Sequence, residues 1–292
     1  MAIRLLLFVQ AVAASNAQLW SVFGATSGLP HAPNVERAVH KKKQSTALLM
    51  ADTRPPIVGP AAIRADYPEM ALFVNQAYSC AHSYQLLYFQ LTEPGCTHLA
   101  YGRRHPSYCK LPAIAAALAL GFARVIFLDS DSWFRPKAAA FPRLVRQYRA
   151  PFEMSGRGPA AGTARPGDRF GETGLLNLSR HTRPHVYFAW DVPFSNGPNA
   201  GFMAWRNSRA AASMLSAWWH INSDTFGLVH DFEQHALHWS LAHMRAFRGH
   251  METLQLAPLD STRRQPLVHV DHNRASERHW RLGLDVLRLA VS

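Results

Sequence analysis

Short runs of apolar residues that end at polar or turn-forming residues are the most regular pattern in this chain. Residues 46–51 form one run, which stops at Asp52 and the following Thr-Arg-Pro-Pro, as expected for a strand and a turn. Residues 125–128 form a second run, which stops at Asp129. The pattern also predicts extended segments at residues 84–91, 200–205 and 266–270. Together these runs predict a sheet of buried strands.

Segments with apolar positions at helical spacing lie between these runs. They predict helices within residues 70–88, 113–120, 209–221 and 232–244. Pro112 near the start of the second helix and Gly121 past its end are typical of helix termini. The alternation of strands and helices predicts an α/β fold with a parallel or mostly parallel central sheet that is flanked by helices.

Length, composition and charge narrow the classes of protein to consider. The chain has 292 residues, of which 48% are hydrophobic, so it can bury the core of one large domain and is not disordered throughout. The formal net charge is +12, but most of the positive charge is scattered arginine. We therefore expect no nucleic-acid partner, and attribute the charge to an arginine-rich composition or to an acidic substrate.

The amino terminus has the features of a secretory signal. Arg4 precedes the apolar residues 5–14, and the small residues Ser15-Asn-Ala17 follow them. We expect a signal peptide or short anchor at residues 1–17 and a linker or stem at 18–45, with a buried first helix as the alternative. The expected location is the secretory pathway, in the ER or Golgi lumen or outside the cell, with membrane contact at most through this segment.

The cysteine content is compatible with that location. Cys80, Cys96 and Cys109 are the three cysteines, so two of them can pair in an oxidising compartment and leave one over. The sequence leaves the pairing open. Their spacing matches no zinc motif, and we expect no zinc site on them.

The Asp129-Ser130-Asp131 sequence is the strongest candidate for chemistry. Side chains alternate along an extended chain, so the two aspartates can face one ligand while Ser130 points elsewhere. Carboxylate pairs bind Mg²⁺ or Mn²⁺ and leave coordination positions open for substrate phosphates. Ligands of open α/β sheets bind beyond the carboxyl ends of the strands, where this pair lies. The pattern indicates a nucleotide diphosphate substrate, and an ordinary Asp-Ser turn is the alternative.

Several segments occur together in an order that resembles a known family. They are Thr46 to Pro56, Asn75-Gln-Ala-Tyr78 with His82-Ser-Tyr84, Tyr108-Cys-Lys110, Phe127-Leu-Asp-Ser-Asp131, Asn199-Ala-Gly201 with Arg206-Asn-Ser208, and Phe232-Glu-Gln234. Over residues 46–275 the chain resembles glycosyltransferase family 34, whose members have a GT-A fold and transfer galactose, xylose or mannose. Enzymes similar to families 8 and 77 are the alternatives, and residues 276–292 would form a carboxy-terminal helix or tail.

The resemblance implies a metal ion and a nucleotide-sugar donor. Asp129, Asp131 and His269 would hold Mn²⁺ or Mg²⁺ against the donor diphosphate, with His269 preferred over His272. Further residues would contact the donor: Ala51, Asp52, Thr53, Lys110, Ser130, Asn199 and Gly201. A solvent-facing lysine at a helix start is the alternative interpretation of Lys110.

The resemblance also implies a reaction with retention of anomeric configuration. Asp231, Glu233 and Gln234 would line the acceptor side, but His230-Asp-Phe-Glu-Gln234 departs from the family pattern, so the roles of these three stay open. A double displacement would need a carboxylate nucleophile, for which Asp191 or Glu233 is available. Two other classes remain: an inactive sugar-binding protein with this fold, and a basic secreted protein that binds acidic glycans.

Overall fold

The computed structural model describes most of the predicted domain. The described residues are 21–23, 46–52, 54, 67–91, 97–150, 184–190, 198–221, 232–243, 251–254, 266–269, 282–286 and 288–289. The predicted signal segment 1–17 lies outside them.

Twelve strands occur in the described part of the chain. They are β1 (Ser21–Phe23), β2 (Thr46–Asp52), β3 (Gln85–Leu91), β4 (Thr97–His98), β5 (Gly102–Arg103), β6 (Arg124–Leu128), β7 (Ser132–Phe134), β8 (Arg149–Ala150), β9 (Val186–Trp190), β10 (Pro198–Arg206), β11 (Met251–Leu254) and β12 (Leu267–His269). The helices are α1 (Tyr67–Ala81), α2 (Lys110–Ala119), α3 (Phe141–Tyr148), α4 (Arg209–Trp219) and α5 (Phe232–His243), and a 3₁₀ turn at Pro106–Cys109 leads into α2. Residues 282–286 are also helical.

Eight of these strands form the central sheet, in the order β1-β3-β2-β6-β10-β9-β11-β8. The pairs β1/β3, β2/β3, β2/β6 and β9/β11 are parallel, whereas β10 is antiparallel to both of its neighbours and β8 to β11. The described sheet is therefore mostly parallel, as predicted. The antiparallel pairing of β10 was not predicted, because an apolar run carries no information about strand direction.

The inner positions of the central strands are apolar because both faces of the sheet are covered. In β6, Val125 and Phe127 pack against α2 and α4, while Ile126 and Leu128 pack on the opposite face with α1. A strand buried on both faces has no polar side, so the sequence shows a continuous apolar run instead of alternation. The two cores hold the sheet rigidly between layers of helices.

The predicted elements agree with the structure except at their ends. The strand at 46–51 and the helices at 113–120, 209–221 and 232–244 are confirmed as β2, α2, α4 and α5. The helix predicted within residues 70–88 ends earlier, at Ala81, where Ser83 has a φ of 56° and the chain turns into β3. Gly121 has a φ of 90°, which explains why α2 ends just before it.

Two further findings concern the helices and the cysteines. Within the described residues, no helix combines the length and apolarity required to cross a bilayer. Cys109 is in a disulfide bond, while Cys80 is exposed and is not part of one. Cys96, the third cysteine of the chain, lies outside the described residues.

Candidate active site

The candidate site lies at one edge of the central sheet, where three strands meet. Strands β2 and β6 are parallel neighbours, so Asp52 at the end of β2 and Asp129 just past β6 lie at the same edge. Strand β10 runs in the opposite direction, which brings its first residues to this edge. The backbone N–H of Asp129 donates to the Gly201 carbonyl at 2.9 Å. The topology thus brings the predicted donor residues of β2, β6 and β10 together.

The two aspartates flank a tight turn between β6 and β7. The backbone N–H of Ser132 donates to the Asp129 carbonyl at 2.9 Å, and β7 begins at Ser132. The Asp129 side chain is 31% exposed, whereas Asp131 is only 2% exposed. A carboxylate buried to this extent needs a cation or hydrogen-bond donors. One open and one buried carboxylate at a strand end provide the oxygen donors that Mg²⁺ or Mn²⁺ takes.

Lys110 connects the first aspartate to helix α5. Its ammonium group lies 2.9 and 3.0 Å from the two carboxylate oxygens of Asp129 and 2.7 Å from Oε1 of Glu233. It also donates to the Ala200 carbonyl at 3.3 Å. Lys110 is only 5% exposed, so the alternative of a solvent-facing lysine is wrong. Through these contacts Lys110, the first residue of α2, links that helix to the start of α5, the start of β10 and the end of β6.

Lys110 and Glu233 each shift the pKa of the other. Burial alone would lower the pKa of Lys110, but the Asp129 and Glu233 carboxylates raise it above its ordinary value. Burial alone would raise the pKa of Glu233, but the Lys110 ammonium and a hydrogen bond from Ser107 hold it below its ordinary value. Lys110 and Glu233 are therefore both ionised near neutral pH, and the ammonium group is shared between the carboxyl groups of Glu233 and Asp129.

A bulge in β10 brings backbone groups close to Lys110 and Asp129. The pairing of β10 with β9 shifts register between Asn199 and Met203. Side chains bind the backbone there: the Ala200 N–H donates to Oε1 of Gln234 at 2.9 Å, and the Gly201 N–H donates to Oδ1 of Asn199 at 2.7 Å. Asn199, at 4% exposure, and Gln234, at 9%, are buried in these roles. Bulges of this kind often lie beside active sites, where they redirect a strand.

A second ion pair lies on the other side of the aspartates. The Asp52 carboxylate accepts from the backbone N–H, Nε and Nη2 of Arg54 at 3.0, 2.9 and 2.5 Å. Burial alone would raise the pKa of Asp52, but these hydrogen bonds hold it below its ordinary value. Nη2 of Arg54 also lies 3.4 Å from Oγ of Ser130, and the guanidinium lies over the ring of Tyr67 at 5.4 Å. The Arg54 side chain is 38% exposed.

Only the backbone is described for the third predicted metal ligand, His269. Strand β12 pairs with β7 so that His269 lies opposite Ser132, the residue after Asp131. The side chain of His269 is outside the described part of the structure. Among the side chains that are described, no group of three or more His, Cys, Asp or Glu is arranged to hold a metal ion. Two carboxylates with substrate phosphates are nevertheless a common set for Mg²⁺.

Three of the predicted site residues lie outside the described residues, namely Thr53, Asp191 and Asp231. Their roles stay predictions. The structure adds one residue that the sequence did not single out, Arg54. The short Asp-Thr-Arg spacing after β2 is the signal that could have identified it, because a carboxylate and a guanidinium two residues apart can pair across a turn.

Comparison with known proteins gives a structural likeness but no sequence family. No protein-family model matches the chain, and no curated protein matches it. A glycosyltransferase involved in the glycosylation of the major capsid of PBCV-1 has a similar structure, with a TM-score of 0.50 and 14% identity over 82% of this chain and 99% of that chain. The apo form of the glycosyltransferase GlyE of Streptococcus pneumoniae TIGR4 has a TM-score of 0.46 and 12% identity over 85% of this chain and 62% of that chain. The first likeness confirms the predicted fold: a GT-A-like α/β domain whose central, mostly parallel sheet is flanked by helices.

Proposed function

We propose that this chain is a metal-dependent glycosyltransferase that moves a hexose or pentose from a nucleotide sugar to a glycan or glycoconjugate acceptor. The observation that carries the proposal is the position of Asp129 and Asp131 at the carboxyl end of the central strand β6, beside the buried Lys110–Glu233 pair, in a GT-A-like sheet. Ligands of such sheets bind at this edge. The sequence motifs favour family 34 and a retaining reaction.

Asp129 and Asp131 would hold Mn²⁺ or Mg²⁺, with His269 as the third protein ligand. Such an ion, when bound, neutralises charge that develops on the leaving diphosphate. Lys110 holds the Asp129 carboxylate through both of its oxygens, so this ligand has a fixed orientation before any ion arrives. Preorganised charges of this kind stabilise a transition state without reorganisation. The fold itself thus supplies the orientation of the first ligand.

The donor nucleotide would bind over the ends of β2 and β6. Arg54 has an exposed guanidinium that is fixed by Asp52 and lies within reach of Ser130, between the two aspartates. A fixed guanidinium is well suited to a phosphate or ribose oxygen, because its donors form a rigid fork. Ala51 and Thr53, on either side of Asp52, would contact the nucleoside. UDP-sugars are the favoured donors, with GDP-mannose next.

The sugar and the acceptor would bind towards β10 and α5. Asn199 and Gly201 border this region in the bulge, and Gln234 holds the Ala200 N–H. Glu233 is 7% exposed and its Oε1 is held by Lys110, so it is a poor nucleophile for an anomeric carbon. This favours front-face transfer without a covalent intermediate. Asp191 and Asp231 remain the candidates for a direct role at the acceptor side or, for Asp191, in a double displacement.

An inactive sugar-binding protein is the second candidate, and one observation favours it. The Lys110 ammonium contacts both carboxylate oxygens of Asp129 and could take the place of a metal ion there. In that case the chain would bind a nucleotide or sugar without Mn²⁺ and would not cleave it. Metal dependence therefore separates the two candidates.

We propose the secretory pathway as the location. The disulfide at Cys109 supports this, because structural disulfides persist in oxidising compartments and are rare in the cytosol. The amino-terminal signal pattern gives independent support from the sequence. Expression of the full chain with a carboxy-terminal tag in cultured cells, followed by localisation and by amino-terminal sequencing, tests the signal. A cytosolic chain with an intact amino terminus would contradict it.

A donor screen tests the proposed activity. Purified protein is incubated with UDP-galactose, UDP-xylose or GDP-mannose, with Mn²⁺ or with a chelator, and release of UDP or GDP is followed. We expect slow hydrolysis of one donor that requires Mn²⁺ and that is lost in Asp131→Ala. Donor binding without Mn²⁺ and without hydrolysis would favour the inactive candidate. Salt-sensitive binding of acidic glycans, unaffected by Mn²⁺ and by Asp131→Ala, would indicate a basic glycan-binding protein instead.

A further inference from the structure

One group of polar residues on helix α1 and the turn after it has no place in the proposed chemistry. Asn75, Tyr78, His82 and Tyr84 fall within a ten-residue stretch of the chain. Asn75 is 0% exposed and Tyr78 is 5% exposed, and the other two are half-buried. Buried polar side chains require hydrogen-bond partners. All four find a partner in one segment, residues 132–141, which begins directly after Asp131.

Asn75 binds strand β7 as a neighbouring strand would. Its Nδ2 donates to the Ser132 carbonyl at 3.0 Å, and its Oδ1 accepts from the Phe134 N–H at 3.0 Å. The other edge of β7 is paired with β12, and the Arg135 N–H continues that pairing to the Pro266 carbonyl at 2.8 Å. A single carboxamide thus satisfies the free edge of a three-residue strand that would otherwise be buried without partners.

The other three residues continue these contacts along the segment. Tyr78 donates its hydroxyl to the Ala139 carbonyl at 3.0 Å, and its ring stacks on Phe134 with 4.0 Å between centroids. Nε2 of His82 lies 2.8 Å from the Ala138 carbonyl, which can only accept, so Nε2 carries the proton. Oη of Tyr84 accepts from the Phe141 N–H at 3.0 Å. Five hydrogen bonds therefore hold the backbone of residues 132–141 from one side.

We infer that Asn75, Tyr78, His82 and Tyr84 form a clamp that positions Asp131 and strand β12, and hence the metal ligands of the proposed site, without contacting the ion or the substrate. This inference rests on the proposed function. The physical reason is that Asp131 precedes β7 directly and His269 is paired with Ser132, so the placement of β7 sets the separation of both from Asp129. Groups that orient metal ligands have a large effect on affinity.

Two variants test the clamp, each with a matched control. Asn75→Leu removes both hydrogen bonds to β7 at similar side-chain volume, and Tyr78→Phe removes one hydroxyl. Asn207→Leu removes two hydrogen bonds from Nδ2, to the Leu118 carbonyl near the end of α2 and to the Phe122 carbonyl in the loop before β6. Tyr101→Phe removes a hydroxyl that donates to the His220 carbonyl. The controls lose the same kinds of bond elsewhere in the fold.

Mn²⁺ affinity of the purified protein is measured by electron paramagnetic resonance, together with the thermal midpoint and the hydrogen exchange of the Phe134 and Phe141 amides. We expect the clamp variants to bind Mn²⁺ about 10-fold to 100-fold more weakly, with faster exchange at these amides. The controls should keep the wild-type Mn²⁺ affinity, and the thermal midpoint of each variant shows how much of any change in affinity comes with general destabilisation. If Asn75→Leu fails to fold, Tyr78→Phe decides the question.

The outcomes separate the clamp from the proposed function. Wild-type protein that binds Mn²⁺, with clamp variants that bind it equally well, would overturn the clamp and leave the function in place. Affinity that falls equally in the control variants would also overturn it, because the effect would then be general destabilisation. Wild-type protein that binds no Mn²⁺ would overturn the proposed function and the positioning role with it.

Discussion

Two ion pairs flank the aspartate turn, and they differ in exposure. Lys110, 5% exposed, contacts Glu233 and Asp129 between α2, α5 and β6. Arg54 contacts Asp52 on the opposite side of the turn and is 38% exposed. Lys110 contacts the first aspartate of the turn, and Arg54 lies near Ser130, the residue between the two aspartates. Only Arg54 has a surface that a ligand can reach.

Charge near a site therefore does not by itself identify a ligand-binding residue. Lys110 is buried and donates to two carboxylates and one carbonyl, so it holds the site together. Arg54 is oriented by Asp52, lies 3.4 Å from Oγ of Ser130 and is 38% exposed, so a phosphate or a ribose can reach it. Lys110 is thus a structural cation, and Arg54 is a ligand-binding one.

Removal of the buried cation should have the largest effect on stability. Lys110→Met leaves the Glu233 carboxylate buried beside an apolar side chain, which costs about 3–5 kcal/mol when one partner of a buried pair is lost. Chemical denaturation at pH 7 measures this loss. The double variant Lys110→Met with Glu233→Gln should recover part of it, because no uncompensated charge remains there. A single variant as stable as the wild type would contradict the structural role of Lys110.

Acid pH should reduce the difference between wild type and Lys110→Met. The pKa of Glu233 in the folded protein lies below its ordinary value of 4.5, so its pairing stabilises the fold above that pH and is lost as pH falls through the folded pKa. Without Lys110, burial raises the pKa of Glu233 and the carboxyl can take up a proton. Free energies of unfolding between pH 4 and 8 should therefore converge towards pH 4. A difference that stays constant over this range would show that Glu233 is not the group concerned.

Loss of the exposed cation should have the smallest effect on stability. Arg54→Gln is expected to reduce the free energy of unfolding by about 1–2 kcal/mol, less than the loss of Lys110, because the Arg54 side chain is 38% exposed although that of Asp52 is only 10% exposed. UDP affinity should fall by about tenfold or more, because a hydrogen bond to a charged group contributes about 1.5–3 kcal/mol. Calorimetry with UDP and Mn²⁺ measures the affinity. Unchanged UDP binding would remove Arg54 from the nucleotide site.

Much of the fold could be predicted from the sequence, because its strands are local and strongly apolar. The runs at 46–51 and 125–128 are buried on both faces, so their composition alone marks them as central strands. The Asp129–Asp131 turn follows from the end of one of these runs. The direction of a strand could not be predicted in this way. Strand β10 is antiparallel to β6, and this direction depends on how the two strands pair in the folded chain.

The partners of polar residues could not be predicted, because they come from distant parts of the chain. Lys110 and Glu233 are 123 positions apart, and Asn75 and Ser132 are 57 positions apart. No local pattern distinguishes a lysine that pairs with buried carboxylates from one that faces solvent. The same holds for Asn75, because the role of its carboxamide becomes evident only when the edge of β7 lies beside it. Short-range pairs such as Asp52 and Arg54 were within reach of sequence reasoning.

Calorimetric titration of UDP into wild type and into Asp131→Asn, each with Mn²⁺ and with a chelator, tests the central claim most directly. The account predicts that wild type binds UDP with Mn²⁺ and loses most of that affinity in the chelator, while Asp131→Asn binds UDP weakly in both conditions. Asp131→Asn keeps the shape of the side chain, so lost packing cannot produce this result. UDP binding by wild type that is equal with and without Mn²⁺, or an Asp131→Asn variant that matches the wild type with Mn²⁺, would contradict a metal-dependent nucleotide site at this turn.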